Sequence, residues 1–443
     1  MSAVASNRVR VSGWGRFPRV EAVWREMRYR DDARRAVERQ PSLIARGNGR
    51  SYGDAALNPA CILSTRRSDR ILAFDPETGC ITVEAGLLLA DLIAFALPRG
   101  FFPPVVPGTK FVTVGGMIAS DVHGKSHHHA GSFSRHVVEF LLMDAEGAVH
   151  RFLPGGNDQL FEASCGGMGL TGLILEATLR LVPIASASIR QETLRAENLD
   201  EAIALCEESA AWTYSVAWID CLSGGSHLGR ALIHRGEHAS AEDPGAAPLM
   251  PVARSLIRVP LDLPSAALNT WSVRAFNELH YHCAKPGTSL VDYDTFFFPL
   301  DGIFDWNRCY GRAGFTQYQC VLPRLASTAA IGAILRRVSA AGEGSFLAVL
   351  KQFGPEGGGF LSFPMEGYTL ALDFPVRAAT LALLRELDAI VADHGGRLYL
   401  AKDARANARM MRGYRRLDQF RSVRASIDPG RKFSSLQSQR LEL

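Results

Sequence analysis

The chain has 443 residues, 47% hydrophobic and 21% charged, the make-up of a folded globular protein, which excludes wholesale disorder. Its 49 Lys and Arg stand against 45 Asp and Glu, and a net charge of +4 is too small to make nucleic acid its main partner. The apolar stretch Leu87 to Leu97 carries Asp91 and falls short of the ~20 residues a membrane span needs. No apolar h-region follows the basic residues near the N-terminus, so neither a signal peptide nor a transmembrane segment is expected. The eight cysteines (61, 80, 165, 206, 221, 283, 309 and 320) form no CxxC pair and read as reduced, mostly buried thiols, not a disulfide framework or metal site. The expected setting is cytoplasmic.

In chain order, Leu43 to Arg46 is an apolar strand that runs into a glycine-rich turn. Ile81 to Ala85 alternates as a strand, and Leu87 to Leu97 reads as a helix stopped by Pro98 and Gly100. Val137 to Met143 and Ala148 to Phe152 flank a turn ending in Gly147, a hairpin pattern, and Leu173 to Val182 is a further strand. After Pro183 the composition shifts. Leu199 to Ala211 predicts a helix and Tyr214 to Cys221 a strand, while residues 236–268 read as a mobile loop. The aromatic runs Thr295 to Phe298 and Phe315 to Val321 predict strands. Leu325 to Ala341 and Arg377 to His394 predict helices.

Three glycine-rich segments carry the chemistry. The first is Arg46-Gly47-Asn48-Gly49-Arg50-Ser51-Tyr52-Gly53-Asp54, whose glycines let a backbone turn sharply and aim N–H groups at an anion. It lacks the Rossmann spacing and the P-loop Gly-Lys-Ser/Thr ending. Alone it serves equally well as a tight β-turn. The second runs from Pro107-Gly108-Thr109 through Val112-Thr113-Val114-Gly115-Gly116 and Ala119-Ser120-Asp121-Val122-His123-Gly124-Lys125. The third is Gly166-Gly167-Met168-Gly169-Leu170-Thr171-Gly172. Together they suit a large, extended, phosphate-containing cofactor. His127, His128 and His129 are adjacent and do not converge as an HExxH pair does, so they read as loop residues and no metal site is expected.

The order of these segments resembles the FAD-binding domain of the vanillyl-alcohol-oxidase superfamily. Within it, the chain resembles the decaprenylphosphoryl-β-D-ribose 2′-oxidase family. That second likeness is carried by Gly13-Trp14-Gly15-Arg16, Asp305-Trp306-Asn307-Arg308, Gln317-Tyr318-Gln319, Leu361-Ser362-Phe363-Pro364, Gly396-Arg397-Leu398-Tyr399, Ala401-Lys402-Asp403 and Arg440-Leu441-Glu442-Leu443. The resemblance implies an α+β, two-domain fold: an FAD-binding domain at 1–185, a substrate domain on an antiparallel sheet at 186–395, and a return to the FAD domain at 396–443.

The resemblance further implies oxidation of the 2′-hydroxyl of a polyprenylphosphoryl-β-D-ribose, with a short-chain dehydrogenase/reductase partner completing epimerisation to an arabinose donor, and peripheral contact with the inner membrane. A soluble sugar-lactone or alditol oxidase is the alternative. Lys402, His123 and Tyr52 are expected at the flavin ring. The three loops, with Ile174 and Tyr399, are expected to hold FAD, and Asn307, Gln317, Gln319, Lys351 and Lys402 to face the substrate. From the residues alone, Lys402 reads as a surface lysine paired with Asp403, and Gln317 and Gln319 as alternate residues of an ordinary strand. Many members of the superfamily attach FAD through a His where Arg50 stands; a guanidinium cannot form that bond, so the cofactor is expected to be non-covalent. Two positions depart from the family: Ala371 where Cys is usual, and Glu278-Leu279-His280 where relatives carry Trp third.

Overall fold

The computed structural model describes residues 8–156, 159–252, 257–264 and 267–443. Near the N-terminus β1 (Arg8–Ser12), β2 (Arg19–Glu26), β3 (Ile44–Arg46) and β4 (Ile62–Ser64) form a mixed sheet in the order β1-β2-β4-β3. The helix Arg30–Arg39 joins β2 to β3 and buries Ala33, Ala36 and Val37; the Asp32 carboxylate accepts the N–H groups of Arg28 and Tyr29 and so fixes its first turn. A second, antiparallel sheet contains β5 (Ile71–Asp75) and β6 (Cys80–Glu84). After β7 (Phe101–Phe102) it continues with β8 (Val137–Met143), β9 (Val149–Phe152) and β10 (Leu173–Arg180), in the order β5-β6-β10-β8-β9. β7 pairs with β11 (Val182–Pro183). The expected hairpin is present, with Gly147 at φ 86° and the Asp144 carboxylate accepting the N–H groups of Glu146 and Ala148.

From Ser188 onward one large antiparallel sheet dominates. Its strands are β12 (Ser188–Ala196), β13 (Tyr214–Ile219), β14 (Ala231–His238), β16 (Gly287–Asp292), β18 (Phe315–Pro323), β19 (Ala348–Phe353), β20 (Gly367–Pro375) and β21 (Arg397–Leu398). Their order is β16-β12-β14-β13-β19-β20-β18-β21. Between them β15 (Ile257–Arg258) and β17 (Ile303–Phe304) make a small parallel pair, so part of the 236–268 stretch is ordered strand, as are residues 236–238 at the end of β14; the described remainder has no helix or strand. The helices Leu199–Glu208, Arg324–Ala341 and Ala378–Asp393 cover one face, packing Ile331, Leu335, Leu384 and Leu387 with Leu350, Leu370 and Leu372. Because side chains alternate along a strand, Gln317, Gln319, Lys351, Thr369, Ala371 and Asp373 fall on the opposite face.

Thr295–Phe298 is not a strand. Tyr293–Phe297 is a short helix, because the Asp292 carboxylate caps it by accepting from the Thr295 N–H at 2.7 Å, and Phe296 and Phe297 then pack on Tyr214. The His127–His129 trio lies in one helical turn, His127–Ala130, and not in a loop. A helix at Thr270–Cys283, which the sequence reading did not anticipate, is capped by Asn269.

The chain ends against its beginning. Leu43 bridges to Phe433, Asn58 donates to the Ser434 carbonyl at 2.7 Å, and Arg440 pairs with both Asp54 and Asp403. β21 follows residue 395 and still belongs to the large sheet.

Candidate active site

The first glycine-rich segment leaves β3 and is held in shape from three sides. The Trp14 N–H donates to Ser51 O, the Gly15 N–H to Tyr52 O, and the Tyr52 N–H to Ala401 O. A Cβ on Gly47 would overlap Thr113 Oγ1 and one on Gly53 would overlap the Asp403 carbonyl, so both contacts require glycine. Arg46 lies beneath the turn, buried, and donates to Ser12 O at 2.7 Å; burial draws its guanidinium down to about 10. Above the turn the Arg50 guanidinium lies 4.0 Å over the Trp14 ring and 5.3 Å from Phe111. Among the described residues the N–H groups of Gly47, Asn48, Gly49, Arg50 and Ser51 donate to no acceptor of the chain. A run of free amides in a glycine-rich turn is suited to cradle an anion.

The second segment is locked by Thr113, whose side chain accepts from the Gly116 N–H and starts the helix Val114–Ala119, and by Asn48, which donates to Phe111 O at 2.7 Å. Gly115 and Gly124 press against Ala85 and Val106 O, while Gly108 faces open space. Val112 O accepts from the Leu89 N–H, and Thr109 Oγ1 accepts from the Phe111 N–H. The third segment hangs on the end of this helix: the Gly166 N–H donates to Ile118 O and the Met168 N–H to Ala119 O. Gly169 and Gly172 adopt positive φ, Thr171 is tied to Ser164 at 2.8 Å, and Ile174 pairs with Leu142 inside the second sheet. Gly167 abuts the Ala163 carbonyl, and Gly172 abuts Leu142 and the Met143 carbonyl, which gives both a packing role.

His123 is buried at the junction of the two halves. Its Nε2 is 3.0 Å from Gln319 Nε2, and its ring lies among Phe353, Phe363 and Tyr399. With Gln319 donating, Nε2 is the acceptor and the proton sits on Nδ1, which is buried and meets no partner among the described residues. Desolvation, then the charges of Lys351, His127 and Lys402, hold the imidazole well below its ordinary pKa, so it is neutral. Tyr399 donates from its hydroxyl to Ser120 O.

Lys402 places Nζ 3.6 Å from the centroid of the Tyr52 ring. Its neighbour Asp403 is engaged by Arg440 at 2.9 Å, so the surface pairing of Lys402 with Asp403 does not occur. Burial lowers the ammonium of Lys402, the charge of Asp373 raises it and that of Lys351 lowers it again. Lys351 and Lys125 are likewise drawn down by desolvation, to about 8 and about 7. Gln317 donates to Asp373 at 2.6 Å, Gln319 also to Thr369 at 3.2 Å, and Asn307 to Trp14 O at 3.0 Å. Asp373 and Lys125 were not singled out from sequence; Asp373 belongs to the site only through its register opposite Gln317.

His127 and His128 turn to different partners, Gly354 and Trp212, and no metal-binding cluster occurs among the described residues. The amide cradle, the unpaired Nδ1 of His123 and the row of desolvated lysines fit an extended anionic cofactor with a redox ring at its end.

A family model described as "FAD binding domain" matches residues 30–153. A decaprenylphosphoryl-β-D-ribose oxidase of Mycolicibacterium smegmatis is 40% identical over 451 aligned positions, covering 98% of this chain and 97% of that protein. The chain belongs to the decaprenylphosphoryl-β-D-ribose oxidase family. As a member of that family it is an FAD-dependent oxidoreductase. Wider relatives include an L-gulonolactone oxidase of Mus musculus, 34% identical over 31% of each chain, and a D-arabinono-1,4-lactone oxidase of Saccharomyces cerevisiae, 29% identical over 40% of this chain and 33% of that one. In the decaprenylphosphoryl-β-D-ribose oxidase family the likeness therefore extends across the large sheet, whereas the lactone oxidases match a minority of the chain.

Proposed function

We propose that this chain oxidises the 2′-hydroxyl of a polyprenylphosphoryl-β-D-ribose to the 2′-keto sugar. The observation that carries this reading is the near full-length identity to a decaprenylphosphoryl-β-D-ribose oxidase, which takes in the substrate-side face as well as the cofactor loops. On this reading the units are an FAD domain at 1–185, a substrate domain at 186–395 and a C-terminal return at 396–443. FAD supplies a two-electron acceptor when bound.

The chain's own residues do the rest. The amides of 47–51 and the second and third loops hold the cofactor without a covalent bond. Lys402 and Tyr52 would border the flavin ring, with His123 beside them as a neutral donor through Nδ1. As the C2′ hydrogen leaves as hydride, the hydroxyl proton passes to a base; a desolvated Lys402 is suited to take it. Gln317, Gln319 and Asn307 position the sugar, and Lys351 answers the phosphate as a point charge.

The product keto sugar needs a separate reductase of the short-chain type to complete epimerisation. A lipid-borne substrate calls for peripheral membrane contact, since no helix among the described residues is long and apolar enough to cross a bilayer. Exposed Met250, Ile257, Leu261 and Leu263 lie in the stretch assigned to that contact; Arg254 of the same stretch lies outside the described residues.

The test is anaerobic mixing of the purified protein with farnesylphosphoryl-ribose and, separately, with free alditols or sugar lactones. Bleaching of the flavin by the phosphosugar alone supports the reading. Bleaching by the lactone or alditol alone replaces it with the lactone-oxidase alternative.

A further inference from the structure

The helix Thr270–Cys283 is built the wrong way round for one that faces water. Its buried positions are Val273, Asn277 and Tyr281, and the polar atoms of the last two are engaged inward. Asn277 Nδ2 donates to Asp220 Oδ1 at 2.7 Å, and the Tyr281 hydroxyl donates to Ala196 O at 3.1 Å. Arg230 completes the anchorage, donating to Asp220 at 2.8 Å and to Glu278 at 2.6 Å. The positions that point away carry Trp271, Ala275 and Leu279, four residues apart and all exposed, with exposed Phe276 beside them. Apolar residues thus lie on both sides, a pattern that belongs to helices covered on both. The sheet covers only one.

The strand register beneath the helix says what meets the other. Gln319, Ala371, Val349, Trp218 and Leu232 stand opposite one another in one cross-strand row of the large sheet. Three strand spacings, about 14 Å, separate Trp218 from Gln319, the partner of His123. Along that row an amide gives way to a methyl, a branched aliphatic chain and an indole, and Lys351 shares the face two residues from Val349. At the far end Trp218 and Leu232 pack with Tyr281. His280 meets Trp218 edge-on at 4.7 Å and stacks on Phe276 at 5.6 Å. The face that carries Lys351 therefore turns apolar toward the helix and continues through Phe276 to its outer surface. Arg274 and Lys285 are exposed cations beside that surface, while the charge of Glu278 is matched by Arg230.

We propose that the helix Thr270–Cys283 rests its outer face in the headgroup layer of an anionic bilayer, and that a prenyl chain passes from the lipid beneath it to Trp218 and Val349. Trp, Phe and Leu on one side with Arg and Lys nearby is the make-up of an interfacial helix. The assignment rests on the reading of the substrate as lipid-borne, and adds to the 236–268 stretch an element anchored from beneath.

The test sediments the holoenzyme with vesicles of phosphatidylcholine, with and without phosphatidylglycerol. The unmutated protein should bind the mixed vesicles. Trp271→Gln combined with Leu279→Gln should lower that binding by about tenfold or more, with FAD content and bleaching by farnesylphosphoryl-ribose in vesicle-free buffer unchanged. On a long-chain substrate held in vesicles the same pair should raise KM and spare kcat. Arg274→Gln combined with Lys285→Gln should lower binding to the mixed vesicles alone, which serves if the first pair does not fold.

If both pairs bind mixed vesicles as the unmutated protein does, the docking assignment is overturned while bleaching by farnesylphosphoryl-ribose keeps the substrate reading. If the unmutated flavin is not bleached by that compound, the substrate reading fails, and the passage of a prenyl chain fails with it. A dimer of the unmutated protein that Trp271→Gln with Leu279→Gln splits into monomers would give this face to a second copy of the chain and overturn the proposal.

Discussion

The ammonium of Lys402 sits 3.6 Å from the centre of the Tyr52 ring, and the Tyr52 N–H is bonded to Ala401 O one residue before that lysine. The contact joins the first glycine-rich loop to a segment some 350 residues later. Because the loop is held by backbone bonds, Lys402→Ala should leave FAD content unchanged while kcat falls on the order of 10²-fold. Flavin-to-protein ratio and single-turnover kinetics check both halves. A variant with near-normal turnover removes Lys402 from the chemistry.

Arg50 is stacked on Trp14 and offers no nucleophile to the cofactor. The purified protein should be yellow and should release intact FAD into the supernatant on acid or heat precipitation. Fluorescence that stays with the precipitated chain would show a covalent bond.

Ala371 faces the same side as Thr369 and Asp373 and stands opposite Gln319 across the ladder. Cys320 points to the other face, is buried, and has its thiol pushed up to about 12, which makes it a poor nucleophile. A nitroaromatic reduced during turnover to its nitroso form should therefore leave no adduct on the unmutated protein. Ala371→Cys should acquire one. Intact-protein mass spectrometry decides, and an adduct on the unmutated chain would mean another thiol reaches the site.

Exposed apolar side chains gather in one sequence region: Met250 is 64% exposed, Ile257 67%, Leu261 72%, Trp271 78% and Leu279 64%. Replacing Met250, Ile257 and Leu261 with serine should reduce co-sedimentation with anionic liposomes and turnover of a long-chain substrate, while FAD content holds. Unchanged sedimentation removes this stretch from membrane contact.

His238 lies against Phe102, Tyr214 and Phe297, and desolvation draws its pKa from 6.5 to about 4. Between those values the unfolded chain takes up a proton that the folded one refuses, so this residue costs stability as pH falls. The buried carboxylates Asp121 and Asp301 are shifted upward and act in the opposite direction, so the test compares two proteins. His238→Leu should gain in Tm relative to the unmutated protein as pH drops from about 7 to about 5. A constant difference in Tm across that range would show that His238 protonates freely in the fold.

What was legible in the sequence follows the range of the forces involved. Gly147 and the hairpin around it could be read because turn geometry is decided by neighbours. Thr295–Phe298 reads as strand because its aromatics favour strands, and a single cap at Asp292, which starts the helix Tyr293–Phe297, reverses that preference. The helix Thr270–Cys283 mixes aromatic, polar and β-branched residues with no strong stripe, and it is held by packing such as Phe276 on Phe346. Lys402 and His123 were located through the family's motifs. Asp373 could not be located that way, because its partner Gln317 is set by the register of two strands and not by spacing along the chain.

The contacts of Arg440 with Asp54 and Asp403 have a consequence for how the protein is made. The amide cradle at 47–51 is synthesised some 350 residues before its far wall, Ala401 to Asp403, and the arginine that clamps it. Tight cofactor capture therefore waits until residue 440 has been made. Up to that point a nascent chain should carry a cradle without its far wall, a state open to aggregation and proteolysis.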